Sequence, residues 1–423
     1  MSHSGRTSQQ DACPGALGVH EADDGYLARI RIPGGVLRAE QLRRLVEAAV
    51  QIGDGHLELT SRGNVQLRGL APGGEIDLVG RLRDVGLLPS DSHERVRNIA
   101  ASAASGRDGL GWLDVRPLVD ELDQGLCAAP VLARLSGRFL FTIDDGRHDV
   151  SGLDGDVGLL GTGPDTMALF LAGADSSVRT RPDGAVALAL AAARAFLAQR
   201  DALGSSAWRL GELGPEAQRA CALIIGTTGQ SWRSDALMPT ARTSHRPVPG
   251  PLRQRDGLVA ISAAVPLGRL NVHQAETLGR VADDGSGEMR ATPWRTVFLP
   301  DLPPDKVDGW LAVLGSVGFG SNATSPLVNV SACAGRPGCA RSLADVRGDA
   351  LRTHTGPTTG IPLPVHWTGC QRGCGRPADR HVQVRAVGTG YEVSLDGEVR
   401  SRAADGVDLA HLASVVEALR SGS

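Results

Sequence analysis

At 423 residues the chain is long for one core, and length alone suggests about two to four domains. A net charge of −3 and a pI near 6.4 give no electrostatic case for nucleic acid or an anionic membrane surface as partner. The longest apolar run, Ala185 to Ala193, is stopped by Arg194 far short of a bilayer span, and the opening residues hold no apolar stretch of a secretory signal, so a soluble, cytoplasmic protein is expected.

Aromatic residues are scarce (Trp 6, Tyr 2, Phe 6), so the cores must be built from Val, Leu, Ile and Ala. Among 44 basic residues the one lysine is Lys306. Arginine binds carboxylates through two parallel hydrogen bonds and keeps its charge when buried, which suits a polyanionic ligand. A coding bias, matched by the excess of Ala and Gly, accounts for the arginines equally well.

Residues 1–20 are polar, contain Cys13 and read as a disordered N-terminus. From 21 to 89 the pattern is β-α-β-β-α: Tyr26 to Ile32 alternates as a strand, Pro33-Gly34-Gly35 ends it, and Ala39 to Ile52 places Leu42, Leu45, Val46 and Ala49 at helical spacing. Leu57 to Ser61 and Asn64 to Leu70 read as strands hinged at Arg62-Gly63, and Ile76 to Leu88 as a second helix. The unit resembles a ferredoxin-like half. Residues 90–233 mix strands (Phe139 to Ile143, Met167 to Leu171) with an Ala-rich helix from Ala185 to Gln199, so this domain is α+β. Within it, Gly158 to Gly163 lacks the glycine register of a dinucleotide loop and reads as a turn. Residues 234–255, rich in Pro, Ser and Arg, read as a linker.

The first unit then recurs over 256–321. A shift of 232 aligns Asp24-Gly25 with Asp256-Gly257, Thr60 with Thr292, Val65 with Val297, Leu67 with Leu299 and Val85-Gly86 with Val317-Gly318. A shift of 233 aligns Gly35, Leu37, Gln41 and Leu45 with Gly268, Leu270, Gln274 and Leu278. Matches spread along the whole unit at a nearly constant offset imply an internal duplication, with two halves paired about a pseudo-two-fold axis. Residues 322–423 form a last α+β domain, with a strand at Leu327 to Ser331, a helix at Ala340 to Arg352, strands at His381 to Ala386 and Tyr391 to Leu395, and a closing helix at Asp408 to Arg420.

That last domain carries Cys333 and Cys339 in SACAGRPGCARS, and Cys370 and Cys374 in HWTGCQRGCGRP. Four thiolates on two short loops suit a 4Fe-4S cluster, each iron taking one sulfur. Zinc prefers tighter knuckles, so the wide first pair fits a zinc ribbon poorly, although zinc or unrelated thiols stay open on spacing alone.

RIRIPGG (29–35), LTSRGNVQLRGL (59–70), RVRNIAAS (95–102), LSGRF (135–139) and TGCQRGCGRP (368–377) resemble the nitrite/sulfite reductase family of siroheme and 4Fe-4S proteins, with coverage from about Gly25 to Gly397. The resemblance implies an α+β fold of duplicated ferredoxin-like halves plus two nitrite/sulfite-reductase-type α+β domains. It implies that Cys333, Cys339, Cys370 and Cys374 hold the cluster, and that Arg29, Arg31, Arg62, Arg97 and Arg138 meet the carboxylates of a tetrapyrrole. Sulfite reductases carry two lysines around the phenylalanine of LSGRF, where this chain has Arg138 and Leu140. That departure, with the opening Ala12-Cys13-Pro14-Gly15, points to a branch in which the tetrapyrrole is itself the substrate: precorrin-3A, hydroxylated with O2 and electrons from a separate donor. For that branch the resemblance implies a mononuclear non-haem iron as well, with Asn64, His366 and His381 as candidates. For the reductases it implies siroheme. No catalytic residue is named by either.

Overall fold

The computed structural model describes residues 11, 13–225, 231–234, 245–358, 363–377, 380–388, 390–403 and 409–421. It is α+β, with four sheets, and the two ferredoxin-like halves are interlocked rather than merely adjacent. The first half's sheet runs His20–Ala22, Gly25–Ile30, Val65–Leu70, His56–Leu59 and then Arg269–Asn271, a strand of the second half. The second half's sheet runs Gly250–Arg253, Val259–Ala264, Thr296–Leu302, Glu288–Ala291 and then Val36–Arg38 of the first.

The exchange obeys the sequence offset. Leu37 pairs with Met289 and Leu270 with Leu57, and these are equivalent contacts (270 − 37 = 233; 289 − 57 = 232). The exchanged strands leave tight turns that take positive φ, Gly34 and Gly35 at 61° and 72°, Leu267 and Gly268 at 52° and 72°. Glycine is required at 35, because a Cβ there would stand 2.0 Å from the Ala291 carbonyl oxygen.

Each exchanged strand runs into an amphipathic helix, Ala39–Ile52 or Val272–Asp284, capped alike. Gln41 and Gln274 bond back to the Arg38 and Asn271 amides. Their side-chain nitrogens then donate to the carbonyls of Val85 (2.9 Å) and Val317 (3.0 Å). Leu42, Leu45, Val46 and Ala49 face one continuous core shared with Leu278, Val281, Val297 and Leu299 of the other half.

The duplication extends beyond these halves. The middle sheet has three parallel strands, Ile99–Ala101, Phe141–Asp144 and Val157–Gly163, followed by antiparallel Thr166–Leu171 and Ala174–Thr180, with the short Trp232–Arg233 at its edge. The last sheet repeats the order with Val330–Ala332, Val365–Thr368 and Val382–Val387 parallel, then Gly390–Leu395 and Glu398–Ala403 antiparallel. Helices Pro182–Ala202 and Leu409–Ser421 follow at equivalent places.

Four expectations need correction. The N-terminus is placed from Asp11 on, with Ala12 outside the described residues: the Asp11 carboxylate accepts from Ser136 Oγ and the Gly137 amide (both 2.7 Å), and Glu94 accepts from the Ala16 amide. The assigned linker contains the strand Gly250–Arg253, whereas 235–244 lie outside the described residues. Gly158 to Gly163 is strand, not turn. Its glycines leave room for close neighbours, since a Cβ on Gly158 would meet Thr142 Oγ1 at 2.9 Å. The helix after Cys339 begins only at Val346, capped by Asp345, because the intervening residues wrap the cysteine loop.

Candidate functional site

The cysteines sit where two adjacent parallel strands end. Cys333 directly follows Val330–Ala332, and Cys370 comes two residues after Val365–Thr368. The loops are tied together: the Cys333 amide donates to the Trp367 carbonyl (2.9 Å), and the Gly369 amide donates to Cys333 Sγ (3.3 Å). Burial pushes the Cys333 thiol up, and the neighbouring Cys374 adds to the effect.

The first half clamps the first loop. Arg68 forks onto Asp24 (2.8 and 2.7 Å) and also donates to the Gly338 carbonyl (2.9 Å), while Asp23 accepts from the Ala340 amide (2.6 Å). Arg347 joins the Cys333 carbonyl (3.1 Å) to Glu58 (2.6 Å). Behind the second loop, buried His366 donates from Nε2 to the Cys374 carbonyl (3.0 Å), which leaves Nδ1 to accept from Ser331 (2.8 Å). Burial, then Arg295, pushes this imidazole down to about 3, so it is neutral.

Four sulfur donors on two tied loops fit a 4Fe-4S cluster by donor chemistry. Among the described residues no three His, Cys, Asp or Glu side chains converge on a single ion position, a geometry that a cube does not require because it spreads its ligands over four corners. Two of the three candidates for a second iron are already engaged. Asn64 is spent on the Ile32 amide (2.9 Å) and Asn98 (2.8 Å), and both His366 nitrogens are engaged.

Of the five arginines, three come together, around Cys13. Arg31 is 3% exposed and directs Nη2 at Cys13 Sγ (3.3 Å) and the Gly137 carbonyl (3.2 Å), with Nε on the Arg95 carbonyl. Arg29 reaches the same sulfur (3.6 Å) and Gln66 (3.0 Å). Arg62 is pushed down to about 10 by burial, then by the charges of Arg209 and Arg31. Among the described residues, Arg29 Nε and Arg31 Nη1 are buried without a hydrogen-bond partner. Crowded cations with spare donors are what a polyanionic ligand would satisfy.

The other two arginines lie elsewhere. Arg97 forks onto Asp123 (2.7 Å twice) and bonds the Leu87 carbonyl (3.0 Å), forming an internal ion pair. Arg138 is exposed and lies over the Trp208 ring at 4.9 Å. Leu140, 2% exposed, packs with Ala100 and Val150 beside Leu153 and Trp294. Asp156 fixes its backbone by accepting from the Leu140 amide (2.8 Å). The single lysine, Lys306, pairs with Asp284 at 2.9 Å on the surface. Sequence reasoning missed Arg295, which occupies the place of Gly63 in the second hinge (295 − 232 = 63) and was legible from that offset.

Residues 19–85 and 251–317 both match the nitrite/sulfite reductase ferredoxin-like half domain. Both ferredoxin-like halves of the chain are thus similar to that half domain. The chain is 28% identical over 419 residues to a ferredoxin–nitrite reductase of Synechococcus elongatus, covering 91% of this chain and 79% of that protein. It is also 28% identical over 406 residues to a precorrin-3B synthase of Sinorhizobium sp., covering 92% and 83%. The Mycobacterium tuberculosis NirA protein shares the fold of these half domains and their partner sheets, with TM-score 0.71 and 20% identity over 88% of this chain and 75% of that one. Among the described residues no helix is long and apolar enough to cross a membrane.

Proposed function

We propose that this chain, an oxidoreductase, is a precorrin-3B synthase: a monooxygenase of aerobic cobalamin biosynthesis that converts precorrin-3A to precorrin-3B by hydroxylation with lactone formation. One atom of O2 enters the tetrapyrrole and the other leaves as water, with two electrons and two protons supplied from a separate donor. A 4Fe-4S cluster on Cys333, Cys339, Cys370 and Cys374 would deliver electrons one at a time. The chain's own residues do the positioning. Arg29, Arg31 and Arg62 offer their spare donors to the substrate's carboxylates, each charge-assisted bond contributing about 1.5–3 kcal/mol where water is excluded. No step is assigned to a second iron, because Asn64 and His366 are already engaged.

The observation that carries this reading is Leu140. Reducing a small bound anion calls for several cations and proton donors around it. Here one of the reductases' two lysine positions is an apolar side chain packed into protein, and the one lysine in the chain is committed to Asp284. The second reading, a siroheme-dependent sulfite or nitrite reductase, is supported by the nitrite reductase relatives and suits the same cysteines. An absorption spectrum of anaerobically purified protein separates the two. A broad cluster shoulder without haem bands is expected, whereas a Soret band with a siroheme band would overturn the proposal.

A further inference from the structure

We propose that Arg295 is the counter-charge of the cysteine-held cluster and raises its reduction potential. The inference rests on the cluster assignment above and concerns a residue which that assignment does not use. Arg295 lies in the hinge between Glu288–Ala291 and Thr296–Leu302, at φ 59°, with its carbonyl held by the Val265 amide. Its stem runs over Gly268, where a Cβ would stand 2.4 Å from Arg295 Cδ, so the absence of a side chain at 268 lets the arginine extend.

The guanidinium arrives at the second cysteine loop. Nη2 lies 3.6 Å from the point a Cβ of Gly375 would occupy, and the His366 ring lies 3.5 Å from the same point. Gly375 directly follows Cys374 and takes φ 82°, so this loop presents bare backbone to the cation. Among the described residues the guanidinium has no hydrogen-bonded carboxylate. Glu58, an acid whose charge reaches it, is already bonded to Arg347 (2.6 Å) and Gln66 (2.9 Å).

Arg295 is half-buried and has no carboxylate bonded to it among the described residues, so its charge is left to act on whatever anion lies beside it. The anion this position offers is the cluster, since four thiolates leave the cube net negative. Adding an electron makes it more negative still, so a fixed positive charge beside it favours the reduced form. His366 is turned instead to the Cys374 carbonyl and Ser331, with both ring nitrogens engaged.

The test uses the full chain with its cluster loaded anaerobically, as wild type and as Arg295→Leu, Arg295→Gln and Arg295→Lys. Iron and acid-labile sulfide are counted first. A wild-type protein without them overturns the cluster assignment itself. Potentials then come from a redox titration followed by electron paramagnetic resonance. At the wild-type midpoint, the two neutral variants are expected to show an about tenfold lower reduced-to-oxidised ratio, about 59 mV for one electron. Arg295→Lys is expected to stay within about twofold of wild type, since charge is the property that matters. A neutral variant that keeps its full iron and sulfide and titrates at the wild-type potential overturns the inference, and weakened tetrapyrrole binding in that same variant would assign Arg295 to a substrate carboxylate instead.

Discussion

Cys339 carries the plainest residue-level prediction: Cys339→Ser should cost the cluster, and unchanged iron and sulfide would remove Cys339 from the ligand set. A second concerns Asp149, 2% exposed, which accepts from Ser102 Oγ (2.6 Å) and whose other oxygen has no partner among the described residues. Burial, then the Asp144 carboxylate, pushes it up to about 8. A raised acid binds its proton in the folded state and not in the unfolded one. Its contribution is therefore complete below about pH 4 and is lost as pH rises through about 8. Asp149→Asn should flatten the fall of the unfolding midpoint over that window, and an unchanged pH profile would contradict the assignment. At this scale the placement of the cysteine pairs on loops after strands was legible from the strand pattern before them, while their role as cluster ligands is a proposal. Arg97 was not: a buried ion pair to Asp123 looks the same in sequence as a ligand arginine until the helix Arg116–Cys127 is placed.

Among the elements, the exchanged strands bear the most weight. Gly35→Ala would drive a Cβ to 2.0 Å from the Ala291 carbonyl at φ 72°, and is expected to cost about 2–5 kcal/mol in a denaturant titration. Gly73→Ala, at φ 87° with open space around it, bears backbone strain alone and should cost about 1 kcal/mol. Equal losses would mean that the approach of the halves at Gly35 is not tight. The helices and central strands of each half were readable from periodicity, since burial of one face dictates spacing. The exchange was not, because Val36–Arg38 and Arg269–Asn271 are three residues each, too short to show a period, and their partners lie in the other half.

Over the whole molecule the duplication runs through both kinds of domain, yet its two ends differ chemically. The loop after Phe141–Asp144, the counterpart of the Cys370–Cys374 loop, holds ion pairs instead: Arg147 forks onto Asp108 (2.8 and 2.9 Å) and pairs with Asp145 (2.8 Å). Asp144 accepts from the amides of Gly146, His148, Val150 and Ser151. The cysteine pairs thus sit at one end of the pseudo-symmetric molecule. Because each half completes the other's sheet and both share one core, a fragment of residues 19–89 is expected to aggregate or self-associate, and a stable monomer on size exclusion would contradict the interlock. The repeat of the outer sheets escaped sequence comparison because it preserves strand order while the residues diverge. The arginines proposed to bind substrate, drawn from strand and hinge, came together around Cys13 only once the fold joined them. The most direct test of what that grouping does is to supply the loaded protein with precorrin-3A, a reductant and oxygen-18 gas, and to weigh the product. The account predicts a tetrapyrrole heavier by one oxygen-18 atom, and an unlabelled tetrapyrrole from a protein that instead consumes nitrite or sulfite would contradict it.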